Sequence, residues 1–173
     1  MSVSGNYLGM ELRIDALDQE NLAYFRFCAA HDFHLQRCTA CGLVRYPPTT
    51  GCPWCGHPEA TWVPVEGRGA VHSYAEVHHP IQPAFREHLP YLILIVELDQ
   101  QRGQPEPEDA LRVAGNLATP DGELAPPELV ARVGIGSRMR MVFKDVAEGL
   151  SLPLWTLDEN APQPVPWRYP EPS

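Results

Sequence analysis

Cys38-Thr39-Ala40-Cys41-Gly42 and Cys52-Pro53-Trp54-Cys55-Gly56 are two copies of one short pattern: two cysteines flank two residues, and a glycine follows. The two-residue gap lets both sulfurs of a pair face a single ion. Two such turns supply the four thiolates of a tetrahedral Zn²⁺ site. The ten residues between the pairs suit a short hairpin that lays one turn over the other. Metal ligands are therefore expected at Cys38, Cys41, Cys52 and Cys55, with structural zinc as the cofactor. Such an ion would organise a module too small to hold together by burial alone. Iron in the same sulfur tetrahedron is the alternative, and would make the chain an electron carrier. A redox dithiol fits less well, because those sites use one pair between a strand and a helix. Disulfides are disfavoured because no secretory segment precedes the cysteines.

Working outward, the cysteine module is expected over residues 35–62. Tyr46-Pro47-Pro48 lies between the two turns, and the ribbon arrangement puts Arg45 and Tyr46 at a hairpin tip within a partner's reach. Upstream, Leu22, Phe25 and Ala29 recur at helical spacing, with Asp15 and Asp18 as starters. This predicts a helix from about Gln19 to Ala30. Its broad aromatic face would cover the ribbon or the sheet, or pack on a partner subunit. The fifth cysteine, Cys28, sits among apolar neighbours and reads as a small buried hydrophobe. Residues 1–14 show little periodicity.

Downstream the chain reads as β structure. Residues 70–79 alternate, with Val71, Ser73, Ala75 and Val77 on one side. Tyr91 to Leu98 is a continuous apolar run that suits a strand buried on both faces. Leu111 to Leu117 is a third strand, with Gly115 a bulge or bend. Met139, Met141 and Phe143 alternate with Arg138, Arg140 and Lys144 in a fourth, and Ser151 to Leu157 is the fifth. Five strands over about ninety residues predict a small closed antiparallel barrel of the five-stranded OB type. The loop over residues 100–110 reads as a solvated hairpin tip. Residues 158–173 carry five prolines and should form an extended tail, with Trp167 and Tyr169 as docking points. The organisation expected is thus a helical segment over 1–34, a zinc ribbon over 35–62, an OB-fold over 63–157 and a proline-rich tail over 158–173.

The net charge of −9 argues against a nucleic-acid module, although OB barrels and zinc ribbons both serve that role. Twelve of the thirteen basic residues are arginine, whose planar fork suits phosphate or carboxylate. Nothing resembles a membrane span, so a soluble, cytoplasmic protein is expected. There is no Gly-x-Ser-x-Gly elbow and no P-loop, and Gly134-Ile135-Gly136-Ser137 lacks the third glycine of a dinucleotide fingerprint. His78-His79 can hardly share one ion, since adjacent strand residues face opposite ways. No nucleophile, base and orienting acid stand at recognisable spacing, so no catalytic residue is assigned.

Taken together, several stretches resemble one family. They are Leu35 to Gly42, Tyr46-Pro47-Pro48, Cys52 to Gly56, Gly67 to Tyr74, Pro83-Ala84-Phe85, Pro90-Tyr91 with Glu97-Leu98-Asp99, Val133 to Phe143, and Leu152-Pro153. The family combines an N-terminal helix, a rubredoxin-like zinc ribbon and a C-terminal OB-fold. It was long catalogued as a domain of unknown function and is associated with acyl-CoA metabolism. The resemblance covers residues 20–157 and leaves out the tail.

What the resemblance implies is a non-catalytic companion of a thiolase-fold enzyme of thiolase, acyltransferase or aldolase type, with a hydratase as a neighbour in some members. The larger chain would supply the reacting residues. The small chain would brace that site, help shape the acyl-CoA channel and bind CoA through its barrel. CoA carries phosphates that pair with arginine and an apolar arm that needs a groove. Arg86, flanked in sequence by Phe85 and Tyr91, is the expected contact, with Arg68 and Arg138 as alternatives.

Overall fold

The computed structural model describes residues 1–170. The opening segment without periodicity is a hairpin, β1 (Val3–Tyr7) and β2 (Met10–Ile14). Leu8 and Gly9 both have positive φ, 52° and 84°, as a two-residue turn between right-twisted strands requires. The Asn6 side chain accepts from the Gly9 N–H at 2.9 Å and fixes that turn. Leucine at a left-handed position is the reason the hairpin escapes a sequence reading.

Helix α1 (Gln19–Ala29) starts where expected. Asp18 caps it, its carboxylate accepting from the Asn21 backbone N–H at 3.2 Å. The helix buries Leu22, Tyr24 and Cys28. Its rings pack within the chain: Tyr24 meets Phe25, Phe33 and Tyr46, while Phe27 stacks on His34 at 4.1 Å and leans on Trp62. Burial pushes the Cys28 thiol up to about 12, consistent with a packing role.

The cysteine module is a three-stranded sheet in the order β4-β3-β5, from β3 (His34–Cys38), β4 (Val44–Arg45) and β5 (Ala60–Pro64). The second sheet has five antiparallel strands: β6 (Arg68–Val77), β7 (Tyr91–Leu98), β8 (Arg112–Asn116), β9 (Arg138–Ala147) and β10 (Leu150–Leu157). Their spatial order is β10-β9-β6-β7-β8. A four-residue helix, α2 (Pro127–Val130), lies between β8 and β9.

The expected closed barrel is instead a curled sheet whose two edges touch at one parallel bridge, Leu117 to Trp155. Ala118 N–H donates to the Trp155 carbonyl at 2.7 Å there. Beyond it the chain turns back through Thr119 and Glu123, so β8 has no further residues to pair with β10.

Within the strands three expectations shift. A register break between Val71 and Ser73 flips the faces of β6, so Tyr74 and Glu76 point inward while Ser73 and Ala75 are exposed. One extra residue has this effect wherever the side-chain period is two. Strand β7 is sealed on one face only, with Leu92, Leu94, Val96 and Leu98 buried and Ile93 exposed. Gly115 is neither bulge nor bend, because pairing with Leu94 runs through it in register. A Cβ there would lie 2.9 Å from the Trp155 ring, so close approach is what demands glycine.

The main apolar cluster spans the ribbon and the five-stranded sheet, and a small second one joins Ala118, Val142 and Leu154. In the main cluster Tyr24, Cys28, Phe33, Leu35 and Val44 from the helix and ribbon join Val71, Leu94, Val113, Met139 and Trp155 from the five-stranded sheet. The tail does dock on the body. Trp167 exchanges backbone hydrogen bonds with Ile135, at 2.8 and 3.0 Å, and Arg168 reaches Glu76 at 2.6 Å. Residues 171–173 of that tail lie outside the described residues.

Candidate metal centre

The two cysteine turns are near copies in three dimensions. Cys38 N–H donates to the Leu43 carbonyl and Gly42 N–H to the Cys38 carbonyl, at 2.9 and 3.0 Å. In the second turn Cys52 N–H donates to His57 and Gly56 N–H to Cys52, at 2.9 and 2.8 Å. Gly42 and Gly56 have φ of 77° and 76°, a left-handed position that a side chain would strain. Each turn buries its first cysteine, Cys38 or Cys52, and exposes its second, Cys41 or Cys55.

The four Sγ atoms all lie within 4.8 Å of one another, and Cys38–Cys55 and Cys41–Cys52 are each 3.6 Å apart. A tetrahedron with metal–sulfur bonds of about 2.3 Å has edges of about 3.8 Å. The donor set therefore fits one thiolate-bound ion. Backbone dipoles favour it as well. The Cys41 N–H pulls the Cys38 thiol down to about 6. At Cys52 burial opposes ionisation, but the N–H groups of Cys55 and Trp54 lower the thiol. At Cys41 the Leu43 N–H pulls down, yet desolvation and then the sulfurs of Cys52, Cys38 and Cys55 push it up to about 12. At Cys55 the His57 N–H likewise opposes a net rise to which the sulfurs of Cys38 and Cys52 contribute. Four crowded thiolates repel one another, and a bound cation removes that repulsion.

Arg45 is not at an exposed tip. It is 1% exposed, beneath the loop that joins the two turns. Tyr46 is half-buried against Tyr24.

Of the other expected contacts, Phe85, Arg86 and Tyr91 fall at the end of the five-stranded sheet far from the ribbon, and Arg68 and Arg138 at the opposite end. Phe85 and Tyr91 do meet, with ring centroids 4.8 Å apart, and Phe85 also abuts Tyr7 at 6.2 Å. Arg86 is exposed on a short 3₁₀ turn, Pro83–His88. Arg68 faces Asp158 at 3.7 Å, and Arg138 grips both carboxylate oxygens of Asp99. A cleft of about 820 Å³ lies elsewhere. It runs between β6 and the tail and is lined by Tyr74, Glu76, His78, Ile135, Trp167 and Tyr169, among others.

A sequence reading missed two polar arrangements. The first is His31, which meets Asp145 at 2.7 Å while Ser151 Oγ donates to the same carboxylate oxygen at 2.5 Å. The carboxylate sits in the middle, so the imidazole is not placed to take the hydroxyl proton, and the trio ties the turn after α1 to β9 and β10. The second is Gln101, in the loop expected to be solvated. It is 7% exposed, and its side-chain amide bonds both backbone groups of Val44, at 2.8 and 3.0 Å. Residues 31, 145 and 151 are far apart in sequence, and a lone glutamine in a polar loop gives no signal.

The model of the ChsH2 C-terminal OB-fold domain matches residues 62–144. A DUF35 domain-containing scaffold protein of Methanocaldococcus jannaschii is 30% identical over 114 residues, 65% of this chain and 67% of that one. The chain belongs to the DUF35 family. A probable enoyl-CoA hydratase alpha subunit of Thermomonospora curvata is 38% identical over 85 residues, 49% of the DUF35 chain. The match spans only 26% of that subunit. Among solved structures, the Ltp2-ChsH2(DUF35) aldolase aligns with a TM-score of 0.63 and 28% identity, over 83% of the present chain and 98% of that one.

Proposed function

We propose that this DUF35 chain is a non-catalytic accessory subunit that braces a larger thiolase-fold enzyme of thiolase, acyltransferase or aldolase type acting on acyl-CoA, in the cytoplasm. One observation carries the reading: the chain aligns with nearly the whole of a chain solved as part of the Ltp2-ChsH2(DUF35) aldolase. The scaffold naming of the archaeal relative and the hydratase naming of the other point the same way.

In this reading Cys38, Cys41, Cys52 and Cys55 hold zinc in a structural role. The sulfur spacing and the inward backbone N–H groups support that assignment. The ion would supply no reaction step; it would fasten the two turns to one another. Arg86, with Phe85 and Tyr91, is the CoA contact we propose. Arg68 and Arg138 already face carboxylates, whereas Arg86 projects from an exposed turn beside paired rings.

Co-expression with the thiolase-like or aldolase-like product encoded beside the gene tests the assembly. A single species of summed mass, with acyl-CoA turnover that falls when this chain is withheld, is the expected result. A monomer beside a fully active large chain rejects the proposal. Calorimetric titration with CoA, repeated on Arg86→Ala, tests the contact; equal affinity in both removes Arg86.

A further inference from the structure

Arg45 is a buried guanidinium whose assigned partners include no carboxylate. Its Nε donates to Gln36 Oε1 at 2.9 Å, its Nη2 donates to the Thr49 carbonyl at 2.8 Å, and its Nη1 has no partner among the described residues. Burying such a group is unfavourable unless its surroundings compensate the lost hydration. In the salt bridges elsewhere among the described residues the cation keeps some access to solvent, whereas Arg45 is sealed.

The contacts around Arg45 all lead to the second cysteine turn. Gln36 Oε1 accepts a second bond, from the Thr49 backbone N–H at 2.9 Å. Thr49 Oγ1 donates to the Gly51 carbonyl at 2.8 Å, and Cys52 follows directly. On the other side, Arg45 belongs to the two-residue strand β4, whose Val44 is clamped through both backbone groups by Gln101. A continuous path therefore runs from the 3₁₀ turn after β7, through Gln101, Val44 and Arg45, to the loop that delivers Cys52 and Cys55. Four thiolates on one divalent ion carry two net negative charges, and Arg45 is the fully buried cation of the same module.

We propose that Arg45 is a positioning residue for the metal centre, holding the second cysteine turn opposite the first, and that Gln101 anchors it to the five-stranded sheet. Metal retention is then coupled to the docking of the ribbon on that sheet. By linkage the coupling is reciprocal, so losing the ion loosens the Gln101 clamp. This inference rests on the four cysteines binding a metal.

The test uses the full chain loaded with Co²⁺, whose thiolate charge-transfer band reports the sulfur set. Competition with a chelator gives the affinity for wild type, Arg45→Met, Arg45→Lys and Gln101→Ala. Residues that orient metal ligands typically contribute ten- to a hundredfold in affinity, roughly. Arg45→Met and Gln101→Ala are each expected to fall in that range while far-UV circular dichroism shows the five-stranded sheet intact. Arg45→Lys keeps the charge but loses the two-pronged grip, so it is expected to weaken binding like the Met variant. Wild-type affinity in both Arg45 variants overturns the proposal, and wild-type affinity in Gln101→Ala overturns the anchor. Gln101 lies outside the ribbon, so its result stands even where an Arg45 variant fails to fold. A wild-type chain with no thiolate band rejects the metal reading itself, a different outcome from a loaded wild type with unaffected variants.

Discussion

The ribbon and the five-stranded sheet hold together by different means. In the sheet, Leu92, Leu94, Val96, Leu98, Val113, Met139 and Trp155 are all essentially sealed from solvent. At about 25 cal/mol per Å² of apolar surface, that interior is a self-sufficient source of stability. The ribbon contributes Leu35, Val44 and two buried cysteines, and spends much of its interior on Gln36 and Arg45. A module so poor in apolar side chains needs a cross-link, and four converging sulfurs are placed to provide one through a bound ion. The lesson is that adjacent parts of one chain can share a core and still fail under different insults.

Metal removal should separate the two regions most sharply. Chelation, or Cys52→Ser, is expected to abolish hydrogen-exchange protection over residues 34–64 while β6 to β10 keep theirs. Structural zinc is worth about 10–16 kcal/mol in small zinc-finger peptides. Simultaneous loss of protection in both regions would break the contrast. Trp155→Ala is the converse. Truncating a buried tryptophan costs about 3–5 kcal/mol. The urea midpoint should drop accordingly, with the metal still held by whatever fraction stays folded.

Gly134→Ala probes what only the sheet side holds. A Cβ there would sit 2.3 Å from the Trp167 carbonyl, so the tail must leave. Trypsin should then cut after Arg168 far faster, at a stability cost of about 1–2 kcal/mol for the lost backbone bonds. Metal content should not change.

The smallest effect is expected at Asp99. Hydrogen bonds from Arg138, and then Arg102, hold its carboxyl below the usual carboxylate range. A depressed folded-state pKa means the contribution is present above about pH 4 and is lost as pH falls through the folded value. Asp99→Asn should flatten that part of the stability–pH curve, by less than about 1 kcal/mol because the pair is partly exposed. An unchanged curve in titration-monitored unfolding would show that Asp99 carries none of it.

The regular parts of the fold were legible because periodicity and spacing are local signals. Asp18 with the Leu22 stripe announced α1, and Cys38 to Gly56 announced the sulfur cluster. What stayed hidden depended on partners far away in sequence. The His72 bulge reverses Ser73 and Tyr74 only because β7 fixes the register, and Gly115 is explained only by Trp155. Arg45 read as exposed because arginine in a turn usually is. Its burial follows from Gln36 on the neighbouring strand and from the Gln101 clamp, and neither contact leaves a trace in composition. The single bridge between Leu117 and Trp155 likewise depends on where the chain turns at Thr119, which strand counting does not register.

The apolar cluster that threads Tyr24, Val44, Leu94 and Trp155 leaves no joint between the cysteine end and the sheet end. Close-packed interiors transmit displacement instead of absorbing it. A neighbour pushing on either end would therefore turn the whole body as one lever, with the sulfur cluster and the Phe85 turn at opposite tips.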